Sequence, residues 1–227
     1  APHAGYIYSG VVAGAVYSSV KVPDDIVLIG PNHTGMGKRA SVMTRGQWEV
    51  PLGAVVINEA LASSVVSSSR LFSEDSLSHL AEHSLEVQLP FIMSANRNAR
   101  IVPITVMHFS YRDCKIMGEA IAGAIKDHKK AALIVVSSDM NHYEADKKTR
   151  EKDRFAIDAI LGLDAKGLLD VAGEKDISMC GVIPAAIAIE AAKCLGAKDA
   201  YLVKYSTSGE VSGDYDQVVG YAGIVIK

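Results

Sequence analysis

Residues 25–35 read DIVLIGPNHTG, an unbroken apolar run from Ile26 to Ile29 that passes straight into a turn built from Gly30, Pro31, Asn32 and His33. The run lacks apolar–polar alternation, so it reads as a strand covered on both faces, as in a parallel sheet between helical layers. Similar short runs recur at RIVPITVM (100–107), AALIVVSS (131–138) and YLVKYST (201–207), and DQVVGYAGIVI (216–226) supplies a last strand. Helix patterns fall between them at Val11–Val20 after Ser9 as a cap, Leu52–Val66, Ser84–Ala95, Asp113–His128, Lys147–Leu161 and Ile183–Leu195. The polar stretch Ser63–Asp75 reads as an exposed connection with a hairpin or edge strand. Strand–helix repetition without a Gly/Pro/Ser-rich linker predicts one α/β domain over residues 1–227, a three-layer α/β/α sandwich around a mostly parallel or mixed sheet.

The composition narrows the function classes. The chain has 227 residues and a net charge of -3, from 23 basic and 26 acidic side chains. Its only basic clusters are KDHKK (126–130) and KK (147–148), so no nucleic-acid partner is expected. Three cysteines, Cys114, Cys180 and Cys194, make no disulfide framework, which points to a reducing compartment and a cytoplasmic location. Mean hydropathy is +0.18, yet no apolar run approaches the ~20 residues of a membrane span, and no signal-peptide pattern is present. GxGxxG, a P-loop and GxSxG are all missing, which argues against a nucleotide cofactor and a nucleophile-elbow hydrolase.

Two histidines stand in rigid turns, His3 in APHAG and His33 in GPNHTG. Proline and glycine fix the backbone there, so each imidazole has a defined direction, and imidazole suits zinc, copper or iron. The alternative is two inert turn residues, since the spacing matches no short metal motif. In SSDMNHYE (137–144), Asp139 either holds the tautomer of His142, freeing the other nitrogen for a proton or a ligand, or caps a helix beginning at Met140. Cys180 precedes an apolar helix with Pro184 in its first turn, and reads as a ligand, a nucleophile or a small buried hydrophobe. His83, in AEHSLE, stands at a helix start, with either a structural role or access to a pocket. Cys114, Cys194, His79, His108 and His128 carry no supporting feature, and His128 reads as a surface residue.

The ordered blocks APHAGYIYSG, IVLIGPNHTGMG, EHSLEVQLPF, VVSSDMNHY and MCGVIP, followed by YSTSGEVSGDYDQVVGYAG, resemble the Memo family, which includes the human mediator of ErbB2-driven cell motility. That family is similar in fold to the class III (LigB-like) extradiol dioxygenases. The resemblance implies a metal triad of His3, His33 and Cys180, with His142 as the general base beside Asp139 and His83 as a further pocket histidine. Where extradiol enzymes carry a carboxylate ligand, this sequence has Cys180, a softer donor set that favours copper or zinc, with Fe(II) still in range. It further implies redox or oxygenase-like chemistry on a small substrate, or a non-enzymatic module that binds peptides, including phosphorylated receptor peptides, in a vestigial pocket. In microbes it implies association with radical-SAM and AMMECR1-type pathway proteins. It also implies a strand and leader segment ahead of residue 1.

Overall fold

The computed structural model describes residues 1–227. The amino-terminal half contains helix α1 (Tyr6–Ser18), strands β1 (Asp25–Pro31), β2 (Ala40–Val42), β3 (Gln47–Val50) and β4 (Gly53–Ile57), helix α2 (Glu59–Ser68) and strand β5 (Ser73–Glu74). Then come helix α3 (Leu89–Ala95), strand β6 (Arg100–Val106), helix α4 (Tyr111–His128) and strands β7 (Ala132–Val136) and β8 (His142–Glu144). Helices α5 (Asp146–Leu161), α6 (Ala165–Glu174) and α7 (Val182–Leu195) lead to strand β9 (Ala200–Thr207), helix α8 (Gly209–Ser212) and strand β10 (Val218–Ile226).

The apolar run at 25–31 is the centre of the molecule. Strand β1 lies between β6 and β7, parallel to both, and every residue in it is buried. Ile26, Val27, Leu28 and Ile29 are fully buried, and burial of such side chains contributes roughly 1.5–3 kcal/mol each. The main sheet has seven strands in the order β3-β4-β6-β1-β7, with β2 and β5 joined beside β6. Antiparallel β3 and β2 make it mixed. Helix α4 packs on α2 and α7, α7 packs on β1 and β7, and α1 packs on α3, β9 and β10, giving an α/β fold with helices about a central sheet.

Several expected boundaries move. Residues 52–66 are not one helix: β4 occupies 53–57 and α2 begins at Glu59. The β-branched run Val55–Ile57 pairs with β3 and β6, and Asn58 then caps α2 by accepting from the Leu61 N–H. Helix α1 starts at Tyr6, and Ser9 is not its cap but donates to the Ala4 carbonyl. The stretch 84–95 is a 3-10 turn at Glu86–Gln88 followed by α3, with Pro90 in the first helical turn. The exposed connection at 63–75 reduces to the end of α2 and the two-residue strand β5. Strands β9 and β10 leave the main sheet and form a second, antiparallel sheet with β8. A cavity of about 460 Å³, lined almost wholly by apolar side chains, separates the β7 edge from β10, with α1 and α7 as its other walls.

The functional consequence lies at the carboxyl ends of β1 and β7, where side chains of an open α/β sheet converge. His33 follows β1 by two residues, and Ser137, Ser138 and Asp139 follow β7. Ala1 pairs beside them: its nitrogen donates to the Val136 carbonyl, and its own carbonyl accepts from the Ser138 N–H, at 2.8 and 2.9 Å.

Candidate metal centre

His3, His33 and His83 come together at this edge. One donor nitrogen from each lies within 4.8 Å of the other two, so the group can hold a metal ion. The His33 and His83 rings stack with centroids 5.1 Å apart, and His3 meets both edge-on, at 5.4 and 5.6 Å. His3 is buried, whereas the side chains of His33 and His83 are 35% and 56% exposed, so the cluster opens to solvent on their side. Cys180 closes the inner side, with Sγ 3.4 Å from His3 Nε2. Its sulfur accepts from the Asp139 N–H at 3.2 Å. Gly181 permits this approach, because a Cβ there would lie 2.4 Å from Ser138 Cβ.

Hydrogen-bond logic fixes how each ring faces. The single Ser137 proton goes to the Ser84 carbonyl at 2.6 Å, since a carbonyl only accepts. Ser137 Oγ must then accept from His3 Nδ1 at 2.9 Å, leaving His3 Nε2 directed at Cys180. Gln88 secures the same hydroxyl: its Nε2 donates to Ser137 Oγ and to the Pro2 carbonyl, while its Oε1 accepts from Tyr17. His33 Nδ1 donates to Glu82 Oε1 at 2.9 Å, and His142 Nδ1 donates to the Ser178 carbonyl at 2.9 Å. Thus His3, His33 and His142 are each anchored at Nδ1, which leaves Nε2 for chemistry.

Electrostatics separate these groups. Burial, reinforced by His33 and His83, pushes His3 down to about 3, so it stands as a neutral donor. Contact with Cys180, then the hydrogen bond to Glu82, holds His33 up at about 10, so at neutral pH its Nε2 carries a proton that a metal must displace on binding. Burial pushes the Glu82 carboxyl up, but hydrogen bonds from His33 and from the Ser84 N–H outweigh it and hold it at about 2. Burial raises Asp139 despite the hydrogen bond from the His3 N–H.

Two expectations about the His142 loop change. No helix starts at Met140; His142 opens strand β8, paired with β10. Nor does Asp139 orient the His142 ring, a task taken by Ser178. Asp139 Oδ1 instead accepts from the N–H groups of His3 and Ala4, at 2.8 and 3.3 Å, and fixes the turn that presents His3. His83, read as a helix-start residue with a possible pocket role, lies in the loop before the 3-10 turn and faces the other two imidazoles. Glu82, Ser137, Gln88 and Ser178 carry the site's anchoring bonds, and the sequence reading assigned them no role. Glu82, Ser137 and Ser178 stand within two residues of His83, Asp139 and Cys180, Gln88 lacks even that signal, and the partners they hold lie far away in the chain.

A protein-family model described as Memo-like protein matches residues 1–225. A MEMO1 family protein of Methanopyrus kandleri is 40% identical over 231 residues, covering 100% of this chain and 82% of that protein. One from Aquifex aeolicus is 44% identical over 225 residues, covering 99% of this chain and 83% of its own. Among solved structures, an uncharacterised protein of Escherichia coli K12 matches with a TM-score of 0.56 over 92% of this chain and 90% of that one, at 13% identity, a likeness of fold.

Proposed function

The chain belongs to the Memo-like family, and from that premise we propose that it is a metal-binding protein whose centre is built from His3, His33 and Cys180, with His83 as a further donor. The observation that carries this reading is the convergence of three imidazoles with the Cys180 sulfur against His3. Imidazole and thiolate favour copper, zinc or iron over the hard cations magnesium and calcium. When bound, such a metal supplies a Lewis acid and, for copper or iron, a one-electron couple.

The chain's own residues do the rest. Asp139 and Ser137 hold His3 by its backbone and its Nδ1, so the ring keeps one direction. His142, held through Nδ1 by Ser178, keeps Nε2 free to take or give a proton to a substrate on the exposed side of the site. Redox or oxygenase-like turnover of a small substrate is the reaction class these parts support.

Metal analysis followed by anaerobic titration tests the reading. Near-stoichiometric copper, iron or zinc in the wild type, with uptake falling at least about tenfold in His3→Ala and in Cys180→Ala, is the expected result. A folded wild type that takes up none of the three would overturn it. The second reading, a peptide-binding module using the same pocket, is favoured by exposed apolar side chains close in sequence to the pocket histidines: Ile7, Met36, Leu80 and Tyr143. Tyr143 also holds a left-handed backbone, φ 59°, beside His142.

A further inference from the structure

We propose that Glu82 is a positioning residue of this centre, which clamps both the backbone and the ring of His33 so that Nε2 alone can reach a metal. The inference rests on the metal-binding reading above.

Glu82 has a fully buried side chain, and its oxygens face donors. Oε2 accepts from the His33 N–H at 2.5 Å, while Oε1 accepts from His33 Nδ1 and from the Ser84 N–H, both at 2.9 Å. A backbone bond and a ring bond to one carboxylate leave His33 no freedom to rotate or exchange its nitrogens. A carboxylate behind a ligating imidazole also makes the ring more basic and fixes its tautomer. His83 Nδ1 stands 3.7 Å from the same Oε1, so the charge lies behind both exposed imidazoles. The segment that carries Glu82 also supplies the other anchor, since the Ser84 carbonyl and Gln88 hold Ser137, which holds His3. Gly30 lets this segment sit against β1: a Cβ there would lie 2.7 Å from Leu85 Cδ2.

A carboxylate suits this place and an amide does not. All three of its partners are donors, so the amide of Glu82→Gln must turn its NH2 group toward at least one of them. Glu82→Asp keeps the charge and two acceptor oxygens on a shorter arm.

Cobalt(II) alone, titrated into wild type, Glu82→Gln and Glu82→Asp and read by its visible absorption, tests the proposal. Imidazole nitrogen NMR of the same proteins without metal supplies a second readout. Glu82→Gln is expected to bind cobalt roughly 10–100-fold more weakly, with partial recovery in Glu82→Asp. The hydrogen-bonded Nδ1 proton of His33 is expected in wild type and Glu82→Asp and altered in Glu82→Gln, with His142 unchanged in all three. A folded Glu82→Gln protein that binds cobalt within about threefold of wild type, or a wild-type His33 without a bonded Nδ1 proton, would overturn it, reducing Glu82 to a pin for its loop. If wild type takes up no metal, the functional reading fails, and the nitrogen spectrum still decides whether Glu82 holds the ring.

Discussion

His79 is buried with neither ring nitrogen hydrogen-bonded, and its ring meets Trp48 edge-on at 5.6 Å. Burial pushes its pKa down to about 4, against the partial support of the Asp75 carboxylate. The folded state therefore resists protonation while the unfolded chain accepts a proton near pH 6.5. The stability that follows is complete above about pH 6.5 and is lost as pH falls toward 4. Replacing the ring by an apolar side chain of similar volume removes an unsatisfied polar group, so His79→Leu is expected to be neutral or more stable by about 1–3 kcal/mol at pH 7. Its urea midpoint should also change less than that of wild type between pH 6.5 and 4. A clear loss of stability at pH 7 would show that His79 has a polar role. In sequence His79 carries no supporting feature, whereas His83 four residues on stands in a motif block that marks it as a pocket histidine. Only the fold sends one ring against Trp48 and the other into the histidine cluster.

At the scale of elements, Asp25 ties four of them together at the opening of β1. Its buried carboxylate meets His128 from the end of α4 at 2.8 Å, Arg100 from β6 at 2.6 Å and the α2 cap Asn58 at 2.7 Å. His128, expected at the surface among lysines, is thus drawn inward, with its side chain only 14% exposed. The α4 carboxyl end lands over the first residue of β1, a placement that no local pattern records. Burial pushes Asp25 up, but the His128 and Asn58 hydrogen bonds and the Arg100 charge outweigh it, and its pKa is lowered. The stability it contributes is present above the ordinary aspartate value of about 3.9 and is lost as pH falls through the lower folded value. Asp25→Ala is expected to cost about 2–4 kcal/mol at pH 7, below the full cost of a severed buried pair because Arg100 and His128 reach water. The gap from wild type should narrow below about pH 4 in chemical denaturation. An equal gap at pH 7 and pH 3 would exclude this linkage. Strand identity in β1 and β6 was legible because burial on both faces leaves an apolar run, and the half-buried edge strand β7 is equally apolar because it borders the apolar cavity. The split of residues 52–66 was not legible, because only Asn58 and Glu59 separate the apolar run Val55–Ile57 from the apolar residues of α2, and the division depends on pairing with β3 and β6.

Across the whole molecule, the two sheets face each other over the apolar cavity, and Ala1 already makes one parallel bridge to β7. Fusing about five β-branched residues ahead of Ala1 is expected to continue that pairing along β7. The melting temperature should rise by ~2–4 °C per kcal/mol gained, with new hydrogen-exchange protection of the added segment. An unchanged melting temperature and an unprotected extension would show that the slot does not accept a strand. The sequence by itself determined the α/β class, the central strands, the Memo-like family and the identity of His3, His33 and Cys180 as candidate donors. The class, the strands and the candidate donors are written in local runs and turns, where hydrophobicity and backbone stiffness act over a few residues, and the family is written in the order of the motif blocks. The tertiary structure alone decided that a donor nitrogen of His83 comes within 4.8 Å of those of His3 and His33, that Asp139 holds the backbone of His3 rather than the ring of His142, and that Glu82 stands behind His33. Those are contacts between segments distant in the chain, and only the folded sheet brings the carboxyl ends of β1 and β7 to one edge.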